Sequence, residues 1–524
     1  MKDSVWDIIR EQSRVHPVRT LLLLAIFVRL LAVIFSPGYM ASDDHFLVIR
    51  PAWNWLHGHM TWLEDSQPIK RGILYPYLMY AMLWVFEHLG IHDTGTQMFL
   101  NRLLHAAWSL TLIPIVHFYL RKFADSRIAF SGGLIAALYF LLPFMAVRNL
   151  VEAVSMPLVL GGLLLAESAA REDDDGTHPR RTFFSGILLG AAFMMRIQTG
   201  VFAVGAVSVL LIKRRWRDAA YVGGGGLVML LIEGLLDYAS FGFFLSSVFY
   251  SLYGQSQIIH SYVTGPWYTY ILTVLGVLIP PFSILAVVWM IGAAKRVPIT
   301  FWSTFLFLLI HSIIPQKQER FILPAFGALI VLAMTGWSMV PWRDKKWVRG
   351  LWIWFWIVNM LLLPIGTFNY SQKARVEPLK RLGRMENAGG IVAVTIEHPI
   401  YLPYYYARLE RDSFFYVMKQ EDLENLPAVI ERTHKLMNTP APTHVLILSH
   451  EGPEKYLPTL EAQLGPMKPL WHIGPSLADW FLHKMNPQFN HSKESWVYTI
   501  EDPEMGGAYL TQDEKADTTA NNGN

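Results

Sequence analysis

The 524-residue chain contains no cysteine. That absence excludes disulfides, thiol catalysis and Cys-ligated metal, and it leaves the redox compartment open. Charge is also scarce: 16% of residues are charged, against 53% hydrophobic and 14% aromatic, and the formal net charge is only +3. With a mean hydropathy of +0.30, the chain is too apolar for an ordinary soluble protein of this size and reads as a polytopic α-helical membrane protein. Its Lys and Arg fall in short clusters between apolar runs and form no basic face, so nothing points to nucleic acid. No His/Asp/Glu cluster has zinc spacing, no glycine-rich loop has a phosphate-cradling pattern, and no repeat of helix-pair or blade length occurs. The four glycines 223–226 lie inside an apolar run, where they permit close helix packing. Nucleotide-sugar binding is therefore unsupported.

A membrane crossing needs roughly 17–25 mostly apolar residues. By that ruler, crossings fall near 18–36, 98–120, 127–147, 150–169, 219–236, 268–292, 299–315, 320–340 and 348–368. The first resembles a secretory h-region, but no small-residue cleavage site precedes residues 36–40, so it is read as a retained span. Residues 183–212 are too long for one upright helix and carry Arg196 at their centre. Residues 72–90 carry Pro76 and Glu87. Basic clusters at 10–19, 121–127, 180–181, 213–217, 295–296 and 343–349 mark cytoplasmic ends. Residues 183–212 must then leave and return as a hairpin, and 72–90 must lie along the outer face. The total is about eleven crossings, with the N-terminus inside and the C-terminus outside.

This topology leaves outside a segment, 237–267, that has no Lys or Arg, and an acidic loop, 37–97, with an amphipathic helical stretch (Phe46, Trp53, Trp55, Leu56) placed in the lipid interface. The multi-span part is taken as 1–370. Beyond it, β-branched runs followed by polar turns, "GGIVAVTIEHP" and "PTHVLILSHEGP", predict a small outward α/β domain over 371–505, with a disordered tail at 506–524.

Several polar groups collect on one membrane face. Asp43 and Asp44 directly follow the first span. Such a pair is either solvated loop charge or a carboxylate able to act as general base toward a hydroxyl. In "HSIIPQKQERFILP", residues 311–324, Lys317 and Arg320 with His311, Gln316 and Glu319 either snorkel beside a Glu319 ion pair or clamp a phosphate, Arg bidentately and Lys as a point charge. Arg196, with Gln198, stands at the apex of the hairpin, where a charge is costly and tends to be functional. Arg148, Asn149 and Glu152 end one span. Asp237 opens "DYASFG", and Trp267 and Tyr268 in "TGPWYTY" are belt aromatics or sugar-stacking faces.

In this order, the acidic pair, the Arg/Asn/Glu end, the Arg-x-x-Thr hairpin, the Asp followed five residues on by Gly, the Gly265-Pro266-Trp267-Tyr268 loop and Lys317-x-x-Arg320-Phe321-x-x-Pro324 resemble the GT-C membrane glycosyltransferases. The closest similarity is to the glycosyltransferase family 22 mannosyltransferases that elongate GPI anchors and dolichol-linked oligosaccharides, over roughly residues 18–340. That family typically reads His-Pro-Asp-Glu where this chain has Ala41-Ser42-Asp43-Asp44, and His-Lys-Glu-x-Arg-Phe where it has Gln316-Lys317-Gln318-Glu319-Arg320-Phe321. The departures suggest a distant bacterial member.

The resemblance implies a GT-C fold and an inverting, single-displacement transfer of a sugar, mannose by family, from a polyprenyl-phosphate donor to a lipid-linked or surface glycan. The reaction would occur outside the cytoplasmic membrane, or in the ER lumen for a eukaryotic host. Asp43 and Asp44 would be catalytic. Lys317, Arg320, Arg196 and His311 would meet the donor phosphate, and Arg148, Glu152, Gln198, Asp237, Trp267, Tyr268, Gln316 and Glu319 would line the substrate site. No metal or other cofactor is expected. Two other classes compete: a transporter or flippase of lipid-linked glycans, which should show two related halves with broken helices, and a membrane anchor for the outer domain. An oligosaccharyltransferase would be a variant within the glycosyltransferase class, against which the small outer domain and the absence of an evident peptide-binding motif weigh.

Overall fold

The structure, a computed structural model, describes residues 15–41, 45–58, 72–171, 178–258, 264–386, 388–409, 413–437, 439–487 and 494–501. The chain divides into two compact units. One comprises Met1–Ser36, Asn54–Trp84 and Leu100–Phe368, and the other Pro37–Trp53, Val85–Phe99 and Asn369–Asn524.

The first unit is helical. Among the described residues six helices are long and apolar enough to cross a membrane: Pro17–Phe35, Thr94–Phe123, Val151–Arg171, Trp216–Phe241, Glu319–Met339 and Lys346–Thr367. The other expected crossings, 127–147, the two arms of 183–212, 268–292 and 299–315, are shorter or bent. Residues 183–212 form Pro179–Met195 and Gly200–Ile212, broken at Arg196. Residues 268–292, read from sequence as one span, are instead two helices, Thr269–Val277 and Phe282–Lys295, bent by 112°. Pro280 and Pro281 at the break supply no N–H and clash with a continuing helix.

Broken helices leave carbonyls and N–H groups without intrahelical partners, and in hydrocarbon each must find another. Side chains from neighbouring helices provide them. The Arg29 guanidinium donates to the carbonyls of Ala136 (3.2 Å) and Ala137 (3.0 Å) at the end of helix Ser126–Leu138, and to Ser109 Oγ (2.8 Å). Asn359 spans the break after that helix, donating to Leu138 O (2.9 Å) and accepting from Phe140 N (2.8 Å). Glu167 accepts from Thr300 N (2.8 Å) in the first turn of Pro298–Ile313. Close packing does the rest. A Cβ at Gly186 would lie 2.1 Å from Val222 O, and one at Gly225 2.2 Å from Phe183 O, so helices Pro179–Met195 and Trp216–Phe241 meet backbone to backbone. Gly223 and Gly224 face open space.

The second unit carries a five-stranded sheet, β1 (Gly390–Val394), β2 (Phe414–Val417), β3 (Pro442–Ser449), β4 (Met467–Ile473) and β5 (Glu494–Ile500), in the order β2-β1-β3-β5-β4. The first three strands are parallel, while β5 is antiparallel to β3 and to β4. The apolar runs of β1 and β3, nearly all buried, form its centre. Helices Gln420–Glu424, Leu426–Met437 and Leu457–Leu464 contribute Leu423, Leu426, Val429, Ile430, Leu460 and Leu464 to the core.

Residues 37–53 and 85–99, expected from sequence within an outer loop of the multi-span part, belong to this unit. Ser371 N donates to Pro37 O (3.1 Å), Thr94 Oγ1 to Tyr406 O (2.9 Å) and Tyr405 OH to Gln97 Oε1 (2.6 Å). Of the aromatics expected to lie in the lipid interface, Trp53 and Trp55 are buried instead and Phe46 is half-buried. Trp53 meets the Tyr405 ring at 5.2 Å in this unit, and Trp55 meets Tyr77 at 5.0 Å in the first.

Asp93 ties the unit together at its surface. It accepts from Arg384 (3.0 and 3.3 Å) and caps the following helix through Thr96 N (2.8 Å). The Arg384 hydrogen bonds hold its carboxyl down from 3.8 to about 2. A depressed carboxylate stabilises fully above its unfolded value, so this contribution should disappear as pH falls from 3.8 toward 2. Amide exchange in the first turn of the helix beginning at Thr94 should accelerate across that interval in the wild type. Asp93→Asn should exchange faster at neutral pH and show little further change.

Candidate functional site

Glu152 sits in the first turn of helix Val151–Arg171, where the exposed N–H groups favour a negative charge. It is fully buried. Its Oε1 receives Arg196 Nη1 at 2.5 Å and lies 4.0 Å from Arg320 Nε. The two cations reach it from different breaks. Arg196 occupies the interruption between Pro179–Met195 and the short turn Ile197–Thr199, and Arg320 lies in the 3₁₀ turn Glu319–Ala325, which Pro324 keeps from becoming regular helix. Both guanidinium groups cover the Phe321 ring, at 4.7 Å and 5.7 Å. Arg320 also donates from Nε to Gln318 Oε1 (2.8 Å).

Lys317 is beside this group but differently employed. Its ammonium donates to His311 O (2.8 Å), Ser312 O (2.9 Å) and Ile314 O, which uses its three protons on the C-terminal carbonyls of helix Pro298–Ile313. It also sits 5.2 Å from the Tyr270 ring centre. Its positive charge therefore closes a helix end while remaining close to the arginines' turn. His311 donates from Nδ1 to Phe307 O (2.8 Å), which fixes its tautomer, and its ring is 6.3 Å from that of Tyr270. Tyr270 OH bonds Gln318 N and O, both at 3.2 Å. Gln316 is buried and pairs through the backbone with Thr264, whereas Glu319 is exposed and the acid partner of Arg320 is Glu152.

The remaining sequence candidates fall elsewhere. Arg148 donates to Ser36 O (3.0 Å) and Ser36 Oγ (2.7 Å) and lies over Phe144, a structural brace at the end of the first helix. Asn149 accepts from Asn101 (2.6 Å). Gln198 is half-buried in the turn after Arg196. Asp237 is fully buried on helix Trp216–Phe241 and accepts from Ser247 N (2.9 Å) and Oγ (2.7 Å). Trp267 and Tyr268 are exposed. Asp43 and Asp44 lie outside the described residues. Among the described residues no group of three or more His, Cys, Asp or Glu is arranged to hold a metal.

Three participants were not singled out from sequence. Phe321 and Tyr270 were visible inside the motifs but looked like ordinary aromatics. Glu233 precedes Asp237 by four residues, hence on the same helix face, and shares Ser247 Oγ with it at 3.0 Å.

The helical unit, whose broken helices bring two arginines to one buried carboxylate, and the small α/β unit together match the fold of GT-C membrane glycosyltransferases. ArnT from Cupriavidus metallidurans bound to undecaprenyl phosphate is similar at 12% identity, with 92% of this chain and 97% of that one covered and a TM-score of 0.60. The apo state of the same enzyme gives 13% identity, 93% and 98% coverage and a TM-score of 0.61. Archaeal oligosaccharyltransferase AglB from Archaeoglobus fulgidus, in complex with an inhibitory peptide and a dolichol-phosphate, gives 10% identity, 87% and 72% coverage and a TM-score of 0.47. No curated protein matches the chain. Residues 20–399 match the Alg9-like mannosyltransferase family model, and the chain belongs to that family. It is a multi-pass membrane glycosyltransferase.

Removing one member of a buried charge group leaves its partners uncompensated. Glu152→Ala should cost about 3–5 kcal/mol and lower Tm clearly. Glu152→Gln, which can still accept from Arg196, should cost less. Replacing Glu152 and Arg196 together by Leu and Met should recover part of the Glu152→Ala loss. Thermal unfolding of the purified protein in one detergent measures all three.

Proposed function

We propose that the chain transfers mannose from a polyprenyl-phosphate-linked donor to a lipid-linked or surface glycan, with inversion, from a site on the periplasmic side of the bacterial inner membrane. The chain would cross that membrane about eleven times and carry its α/β unit outside. The observation that supports this most directly is the charge group itself. Arg196 and Arg320 meet at one buried carboxylate, Glu152, and Lys317 closes the helix end just before the Arg320 turn. Two guanidinium groups held at breaks between helices have the planar, multi-donor form that binds phosphate oxygens, such as those of a lipid carrier.

In the reaction, the Asp43 carboxylate takes the proton of an acceptor hydroxyl as its oxygen attacks the anomeric carbon of the donor. The bond from that carbon to the phosphate oxygen breaks, and the electron pair leaves with the polyprenyl phosphate. Asp44 orients the acceptor. Arg320 and Arg196 stabilise the charge developing on the departing phosphate, with Lys317 adding a fixed field from the helix end it caps. Gln316, Gln198 and Asp237 contact sugar hydroxyls, and side-chain cations perform the role a metal would otherwise take.

Transfer of radiolabelled mannose from polyprenyl-phosphate-mannose tests this. Asp43→Asn should lower transfer by roughly 10²–10⁴-fold, the usual contribution of a general base, with Tm unchanged. Retention of most activity would move the base role to Asp44. Arg320→Ala should raise KM for the donor more than for the acceptor, whereas equal effects on both substrates would remove the phosphate role. Lys317→Ala should lower Tm as well, because it uncaps a helix, so Arg320 is the cleaner probe.

A further inference from the structure

Helix Leu477–Met485 of the second unit, sequence LADWFLHKM, has its apolar residues at the spacing of a core-facing stripe, but that stripe points outward. Leu477 is 73% exposed, Trp480 45%, Phe481 45% and Met485 70%, while the small Ala478 is buried at 7%. Positions 477, 480, 481, 484 and 485 are the i, i+3, i+4, i+7 and i+8 of one face. The helix itself is well anchored. Ser476 Oγ receives Asp479 N (3.1 Å) and donates to Asp479 Oδ2 (2.7 Å), which closes the N-terminus, and Trp480 N donates to Ser476 O (2.9 Å). The outward stripe is thus fixed by a capped helix and Ala478.

The composition and charge of this face fit one partner. Aromatic and long aliphatic side chains occupy its centre, and the last turn carries His483 and Lys484. Lys484 Nζ lies 4.6 Å from the centre of the Trp480 ring, so its charge is held at the rim of the apolar face. Tryptophan, phenylalanine and leucine edged by lysine are the residues of helices that lie in a membrane interface, where the rings enter the headgroup boundary and the ammonium meets anionic lipid. The bilayer is also always present at high local concentration. Helix Lys346–Thr367 is apolar enough to span it, and only residues 368–372 separate that helix from Lys373–Leu382.

We infer that helix Leu477–Met485 is an interfacial anchor that seats the α/β unit on the phospholipid surface of the membrane the chain already spans. Docking there would bury Leu477, Trp480, Phe481 and Met485 in the headgroup boundary with Lys484 beside the lipid phosphates. The inference is independent of the sugar transferred and of the base assignment.

The cysteine-free chain allows a direct test. Single cysteines at Phe481 or Met485, and a control at Glu461, exposed on helix Leu457–Leu464, carry a nitroxide label on the full-length protein in nanodiscs of phosphatidylethanolamine and phosphatidylglycerol. Labels at 481 and 485 should be several-fold more accessible to oxygen than to a water-soluble nickel chelate, relative to the label at 461. Equal access of the chelate to all three would overturn the inference. Dipolar broadening between labels at 481 in nanodiscs holding two copies, with no preference for oxygen in those holding one, would assign the face to a second copy of the chain and also overturn it. Lys484→Glu should reduce the oxygen preference at 481, most in nanodiscs richest in phosphatidylglycerol.

Discussion

A backbone N–H or carbonyl that faces hydrocarbon without a partner costs several kcal/mol, and this constraint shapes the helical unit more than any single contact. A protein of straight spans would meet it automatically. This chain breaks its helices near 139–140, 196–199, 278–281 and 314–318, and at most of these breaks a polar side chain from elsewhere repairs the ladder. Asn359 bridges 138 and 140, Tyr139 OH donates to Val277 O at 2.5 Å, Trp354 donates to Pro280 O, and Lys317 covers the end at 311–314. Most intramembrane polar residues are therefore explained by architecture before function is invoked.

What remains after that accounting has a different character. Arg196 and Arg320 converge on Glu152, whose Oε2 is buried without a hydrogen-bond partner. Glu233 and Asp237 likewise each keep one oxygen unmatched, Oε2 and Oδ1, while sharing Ser247. Unmatched buried polar atoms weaken a fold, and they recur elsewhere in the molecule, at His117, Asp218 and Trp289 among others, so their presence alone does not mark a site. Glu233 and Asp237, one helical turn apart on the same face, accept from Ile73 N and from Ser247 N and so tie their helix to the elements on either side of it.

Hydropathy and the distribution of Lys and Arg made the helical unit legible, because crossing length and loop charge are direct consequences of the bilayer. The break at Arg196 was legible for the same reason, since a central charge in a thirty-residue apolar run has few other solutions. The 112° bend near Pro280 was hidden by continuous hydropathy on both sides of it. In the α/β unit, β1 and β3 stood out as buried β-branched runs, while β2, β4 and β5 mix polar and aromatic residues at shorter range and gave no periodic signal. Arg29 and Glu167 were overlooked because their value lies in the carbonyl or N–H each reaches across 108 and 133 positions in the chain. Of the two readings of Lys317 and Arg320, the structure gives Arg320 a distant acid, Glu152, and leaves its sequence neighbour Glu319 exposed.

Lys317 and Arg320 show why residue type matters as much as charge in the shared motif. An ammonium has three donors around a point, which suits three converging carbonyls, and Lys317 meets that number. A guanidinium is planar, so Arg320 can donate from Nε to Gln318, keep its charge 4.0 Å from Glu152 and lie over Phe321 in the same pose. Exchanging the two residues would keep the charge and lose both arrangements. Lysine at 320 would offer no planar face to Phe321, and arginine at 317 would present a fork where a compact triad of protons is needed. Their order after the break at 314 is therefore a constraint of geometry: the residue nearest the helix end closes it, and the one three positions later, on the 3₁₀ turn, carries charge back to Glu152.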